Sequence, residues 1–268
     1  MMERITELES RHTNLELKTT AELLAGINSE DLLVAKAVEG SLSDVEKLID
    51  QFFSNILKGG RLVYVGAGTS GRLGILDASE CPPTFGVSPE IIQGIIAGGD
   101  RAIRKAVEGA EDSKELAVQD LKSLNFSSQD CVLGIAASGT TPYVLGALEY
   151  ANNIGALSGC FTCNPGSPVT QLARYPIVVN CGPEFITGST RMKAGTATKM
   201  VLNMISTCIM IKLGHVEGNR MVDMQLSNAK LVDRGTKMVA ATLRMDYDSA
   251  KAQLLKHGSV RNAIKANT

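Results

Sequence analysis

Apolar residues in this chain fall into two alternating patterns. Short runs rich in β-branched residues, bounded by Gly, Pro or Asp, predict strands, and between them apolar residues return every third or fourth position, as on helices. The first run, Arg61 to Val65, lies between Gly59-Gly60 and Gly66. From Ser70 onward Leu73 and Leu76 recur at helical spacing, with Ile75 and Ala78 beside them. This predicts strand, tight turn and helix, the helix running to about Glu80 and stopped by Cys81-Pro82-Pro83. Further strands are predicted over Ile91 to Ala97, Cys131 to Ala136, Leu157 to Cys163 and Pro176 to Cys181. Helices are predicted from Arg101 to about Ala110, from the break at Glu111-Asp112-Ser113 to Leu124, from Pro142 to Asn153 and from Ser167 to Arg174. Strands alternating with helices of this length indicate an α/β fold with a doubly wound, parallel, five-stranded sheet.

Helices extend the pattern at both ends. Residues 1–58 read as an N-terminal helical segment: a stretch around Thr20 to Leu24, a helix capped by Ser29-Glu-Asp and running through Val38, and another from Ser43 through Leu57. None has a self-contained core, so they are expected to pack on the sheet or on a partner subunit. Residues 59–220 form the sheet domain, ending in a long apolar helix to about Leu213. Residues 221–268 form a helical tail, with helices from Met224 to Leu243, Asp246 to Lys256 and Val260 to Lys265.

Candidate chemistry lies in the loops after the strands. Gly66-x-Gly68-x-x-Gly71 spells the dinucleotide fingerprint, but that reading needs an acidic residue about twenty positions on, at the end of the next strand. Here that strand ends in Gly98-Gly99-Asp100, too late for the role. Gly68 and Gly71 let a ligand approach the backbone, Thr69 and Ser70 supply hydroxyls, and the unpaired N–H groups of a first helical turn favour an anion. A second loop, Ser138-Gly139-Thr140-Thr141-Pro142, repeats this composition, and the pair suits one sugar phosphate better than a dinucleotide. Asn164 lies in a third strand-end loop. Beyond the last strand Ser189 and Thr190 are good helix caps, whereas Arg191 and Lys193 are cations where the helix dipole disfavours them. Either they are solvated surface charges or an anion sits nearby.

Composition excludes several alternatives. A net charge of −1 over 268 residues provides no basic field for nucleic acid or anionic membrane, and 4% aromatics with no Trp argue against stacking surfaces. The charged N-terminus is no signal peptide, and Val201 to Leu213 is interrupted by Asn203, Ser206, Thr207 and Lys212, too short and polar to span a bilayer. A cytoplasmic location is expected, and six Cys, mostly in or beside apolar runs, agree with reduced core thiols. Cys160-Phe-Thr-Cys163 lacks a second pair, and His12, His215 and His257 lack ligand-spaced partners, so no metal site is predicted.

Six motifs in order are similar to those of the N-acetylmuramic acid 6-phosphate etherase family: Gly66 to Arg72, Leu76 to Pro83, Val107 to Asp112, Ala136 to Gly139 followed by Thr141-Pro142, Cys163 to Ser167 and Ser189 to Thr196. Glucokinase regulatory protein, of the same sugar isomerase (SIS) superfamily, shares some of them. The resemblance runs from about Glu9 to Lys230; between about Lys237 and Asp246 the tail looks shortened against the family pattern. It implies a SIS, flavodoxin-like fold, a homodimer, and cleavage of the lactyl ether of the phosphosugar to N-acetylglucosamine 6-phosphate and D-lactate in cell-wall sugar recycling. The family's proton donor falls on Glu80 and its second acid/base on Glu111. The other loop residues, Gly68 to Arg72, Ser138 to Thr141, Asn164, Ser189, Arg191 and Lys193, are the expected substrate contacts.

The chemistry is consistent with two carboxylates and no cofactor. In the ring-opened sugar the C1 aldehyde acidifies the C2 proton, and the lactyl oxygen at C3 is β to it, so elimination needs one base and one acid. Asp77 and Glu108 lie near the candidates and are alternatives for those roles. Two other functions fit a phosphosugar fold, a sensing module and an aldose–ketose isomerase; the sensor would need a partner surface or a DNA-binding domain, and no basic helix-turn-helix segment is present.

Overall fold

The computed structural model describes residues 4–268. Among them, strands β1 (Leu62–Gly66), β2 (Ile92–Ile96), β3 (Cys131–Ile135), β4 (Leu157–Thr162) and β5 (Tyr175–Val178) form one parallel sheet in the order β2-β1-β3-β4-β5. β1 and β3 are buried at every position, as expected of parallel strands covered on both faces. Helix α2 (Leu42–Ile56) covers one face and α6 (Pro142–Asn153) the other. Two strand glycines make this possible. A Cβ at Gly159 would lie 2.5 Å from Leu48 of α2, and one at Gly134 would lie 2.6 Å from Val144 of α6. Gly134 pairs with Cys160, so Gly159, one residue earlier, faces the opposite way.

Two compact units divide the chain: residues 1–78 with 92–205, which hold the sheet, and residues 79–91 with 206–268. The second has its own core, in which Met224, Val239 and Leu254 are buried, and a hairpin of β6 (Val216–Glu217) and β7 (Arg220–Met221). Gly218-Asn219, a favoured two-residue hairpin turn, was a sequence signal for this hairpin that the periodicity reading passes over.

Several boundaries differ from expectation, each for a local reason. The N-terminal stretch and the helix beginning at Ser29 are one helix, α1 (Thr20–Glu39), because Thr19 and Glu22 form a capping box upstream. Helix α3 (Gly68–Phe85) continues through Pro82 and Pro83; its last turn buries Cys81 and Phe85, and the Pro83 carbonyl accepts the Gln225 N–H at 3.1 Å. Tertiary packing thereby outweighs the missing donors. The helix expected to reach Ala110 stops early as α4 (Asp100–Arg104). Arg72 donates from Nη2 to the Ala102 carbonyl and from Nε to that of Ile103, both at 2.8 Å, taking the acceptors that Ala106 and Val107 would need to extend it. A separate 3-10 turn, Ala110–Asp112, follows Gly109 in the left-handed region, before α5 (Lys114–Ser123). Later in the chain, α7 (Pro168–Leu172) links β4 to β5.

The long apolar helix is α8 (Lys193–Lys212). By length and composition alone it is long and apolar enough to cross a membrane, against the expectation above; the core helix of a soluble protein passes the same test, and 56% of its apolar stretch is buried. In the tail, α9 (Ala229–Leu243) starts later than Met224 because Asn228 caps it, accepting from the Leu231 N–H. Helices α10 (Tyr247–His257) and α11 (Val260–Lys265) follow.

Candidate active site

Chain order reverses between β1 and β3, since β2 lies on one side of β1 and β3 on the other. Ligands in open parallel sheets bind outside the carboxyl ends of strands at such a point. Both predicted loops are there. Gly68, with φ of +52°, turns the chain from β1 into α3, and Gly139, at +72°, turns it after β3 toward α6. Gly71 is a packing residue, because a Cβ there would come within 2.5 Å of Ile96.

The loops enclose a cavity of about 190 Å³, whose lining includes the hydroxyl-bearing residues Thr69, Ser70, Ser138, Thr141, Thr190 and Thr198. Thr141 is the N-cap of α6, yet no side-chain cap takes the first-turn N–H groups. The helix dipole and these free donors favour an anion. A second cavity of about 250 Å³ shares Ala67, Gly68 and Glu111 with the first. Its other walls are small and apolar, Ala97, Ala102, Ala106 and Val107, with Arg72 and Glu108 as further charged groups. Glu111, exposed on the 3-10 turn, thus lines both cavities.

The remaining predicted residues lie elsewhere or serve the fold. Thr140 donates through its N–H and Oγ1 to Ser138 Oγ, both at 3.3 Å, orienting that hydroxyl. Asn164 is fully buried and fastens the N-terminal segment: its Nδ2 donates to Thr6 Oγ1 at 2.9 Å, and its Oδ1 accepts the Thr6 N–H at 3.2 Å. Ser189 and Arg191 line neither cavity, and Arg191 is exposed. Lys193 is 1% exposed and pairs with Glu30 Oε2 of α1 at 2.5 Å. The anion beside Lys193 is therefore a protein carboxylate. A second one, Glu184, accepts the Lys193 and Ala194 N–H groups and caps α8 in place of Ser189 or Thr190. Burial pushes the Glu30 carboxyl up, but the bond and charge of Lys193, with His12 and Arg11, hold it below the usual carboxylate range.

Of the alternative acids, Asp77 is buried and accepts from Tyr64 at 3.0 Å and Asn203 at 2.5 Å. Glu108 remains on a cavity wall. Glu80 is exposed in the part of α3 belonging to the second unit and lines neither cavity. Sequence reasoning passed over Thr198 and Gly195, which line the hydroxyl cavity; once α8 is seen to begin at Lys193, their offset of three puts them on one helix face. His12 bonds Glu30 at 3.2 Å and His215 bonds Asp223 at 3.1 Å, both structural pairs. Cys160 and Cys163 are buried thiols, the former pushed up to about 12 by burial.

Residues 44–152 match the glucokinase regulatory protein N-terminal SIS domain and residues 111–207 the SIS domain. The fold agrees with that of phosphoheptose isomerase GmhA from Neisseria gonorrhoeae, with a TM-score of 0.56 at 16% identity, over 71% of this chain and 98% of that one. Sheet, switch-point loops and domain matches together define a SIS-domain protein. More closely, the chain is 56% identical over 262 residues to N-acetylmuramic acid 6-phosphate etherase of Christiangramia forsetii (strain DSM 17595 / CGMCC 1.15422 / KT0803), covering 98% of this chain and 96% of the relative. It is 57% identical over 266 residues to that of Porphyromonas gingivalis (strain ATCC 33277), covering 99% and 97%. It belongs to the family of N-acetylmuramic acid 6-phosphate etherases.

Proposed function

We propose that this chain cleaves the D-lactyl ether of N-acetylmuramic acid 6-phosphate, giving N-acetylglucosamine 6-phosphate and D-lactate. The observation that carries this is 56–57% identity to etherases of that name over nearly the whole chain. Relatives at this identity do not favour the sensor or the isomerase. Glu111 takes the C2 proton of the ring-opened sugar; the C3–O bond breaks as Glu80 protonates the departing lactyl oxygen, and the electron pair forms a C2=C3 double bond. Water then adds, hydroxyl to C3 and proton to C2. Base and acid are each worth roughly 10²–10⁴ in rate.

Glu111's place on the wall of both cavities supports its role, while Glu80's role rests on the motif Leu76 to Pro83. The phosphate goes to the hydroxyl cavity, with Ser70 and Ser138 as donors. A homodimer, a cytoplasmic setting and cell-wall sugar recycling belong to the same proposal, as does the division into helical residues 1–58, a sugar-phosphate-binding domain over 59–220 and a helical tail over 221–268.

The test follows D-lactate release and C2 hydrogen exchange in deuterated water. Glu111→Gln is expected to lose both, and Glu80→Gln to keep some exchange while releasing little lactate. The reverse pattern swaps the roles; parental lactate release by both variants sinks the two-carboxylate mechanism.

A further inference from the structure

The substrate carries two anions, the 6-phosphate and the lactyl carboxylate. Among the described residues lining the two cavities, Arg72 is the one cation, and it lies on the smaller-walled, apolar side. Two of its three guanidinium nitrogens are committed to the Ala102 and Ile103 carbonyls, which immobilise the group; no bond from Nη1 is found among the described residues. Glu108 and Glu111 line the same cavity and would repel an unpaired carboxylate.

Resting on the etherase reading, we infer that Arg72 is a specificity residue that pairs with the lactyl carboxylate, while Ala97, Ala102, Ala106 and Val107 receive the apolar part of the C3 substituent. A planar guanidinium held in advance by the backbone loses little freedom on binding and suits a carboxylate. The phosphate is left to the hydroxyls and helix N-termini of the other cavity. The site thereby distinguishes a lactyl ether from a neutral ether at C3.

The experiment compares N-acetylmuramic acid 6-phosphate with its lactamide analogue, which keeps the shape and the ether but not the charge. With the unaltered protein, kcat/KM for the lactamide is expected to be roughly ten- to a hundredfold lower, mostly through KM, the range for one hydrogen bond to a charged group. In Arg72→Gln the carboxylate substrate should weaken by a similar factor and the lactamide little, so that the preference collapses. Equal handling of both ethers by the unaltered protein overturns the inference. So does an equal loss on both in Arg72→Gln, which would leave Arg72 only holding α4. The first comparison needs no variant and stands even where the substitution loosens α4. If the unaltered protein cleaves neither ether, the etherase reading itself fails and the inference falls with it.

Discussion

Lys193 offers a decisive measurement, because its motif suggests a substrate contact and its surroundings suggest a strut. Its ammonium is 1% exposed and the Glu30 side chain 7% exposed. Removing one member of a buried ion pair leaves the other uncompensated and costs about 3–5 kcal/mol, whereas replacing both with apolar groups costs far less. Lys193→Met leaves Glu30 with His12 at 3.2 Å, so the low end, about 3 kcal/mol, applies there. Glu30→Leu strands the ammonium, since Glu184 is already engaged by two backbone N–H groups, and the high end, about 5 kcal/mol, applies. The double variant should recover much of the combined loss. At about 2–4 °C per kcal/mol, Lys193→Met lowers the melting temperature by roughly 6–12 °C. Urea unfolding followed by circular dichroism gives the cycle, with lactate release assayed alongside. Native stability in Lys193→Met together with a KM raised more than tenfold would refute the reasoning and return Lys193 to the substrate.

Two further outcomes follow from neighbouring geometry. Gly139→Ala combines left-handed strain at φ +72° with a Cβ 2.1 Å from Ser167 Oγ, whereas Gly166→Ala, at φ +68°, meets nothing within 4 Å. Urea unfolding should therefore find Gly139→Ala the more damaging by at least about 1 kcal/mol, and equal costs would contradict the packing described. Asp130 is buried, which pushes its carboxyl up, but bonds from Arg61 and the Ser127 N–H hold it below the usual range. A lowered folded pKa means its contribution is present above the unfolded carboxylate value and is lost as pH falls through the folded one. Between those limits stability should drop by up to about 1.4 kcal/mol per pH unit, and Asp130→Asn should flatten that acid limb. An unchanged limb would remove Asp130 from the account.

Much of the sheet was legible because parallel strands buried on both faces leave continuous apolar runs, and helix α6 begins and ends where Pro142 and Asn153 predict. The phosphate loops were legible for a related reason: glycines and hydroxyls cluster where strands give way to helices. What the chain did not disclose depends on partners remote in sequence. Nothing around Ala102 announces that Arg72, thirty positions earlier, will take its carbonyl and end α4. Nor does the motif around Lys193 point to Glu30, 163 positions away, with which the lysine forms an internal ion pair. Pro82 and Pro83 mislead in the same way, since local propensity yields to packing by residues beyond 205.

The second unit is stitched from two distant stretches of chain, and this has a bearing on how the protein is made. The Pro83 carbonyl and the Gln225 N–H that meets it are 142 positions apart. At roughly 5–20 residues per second on the ribosome, the end of α3 waits roughly 7–28 s for its partner. During that interval residues 79–91, among them Cys81, Phe85 and Val87 that are buried in the finished fold, lack the stretch beyond 205 with which they form one compact unit. The nascent chain thus presents a short apolar segment, flanked by prolines, long after the strands around it can begin to pair. It is there that a chaperone or a protease would find its first hold.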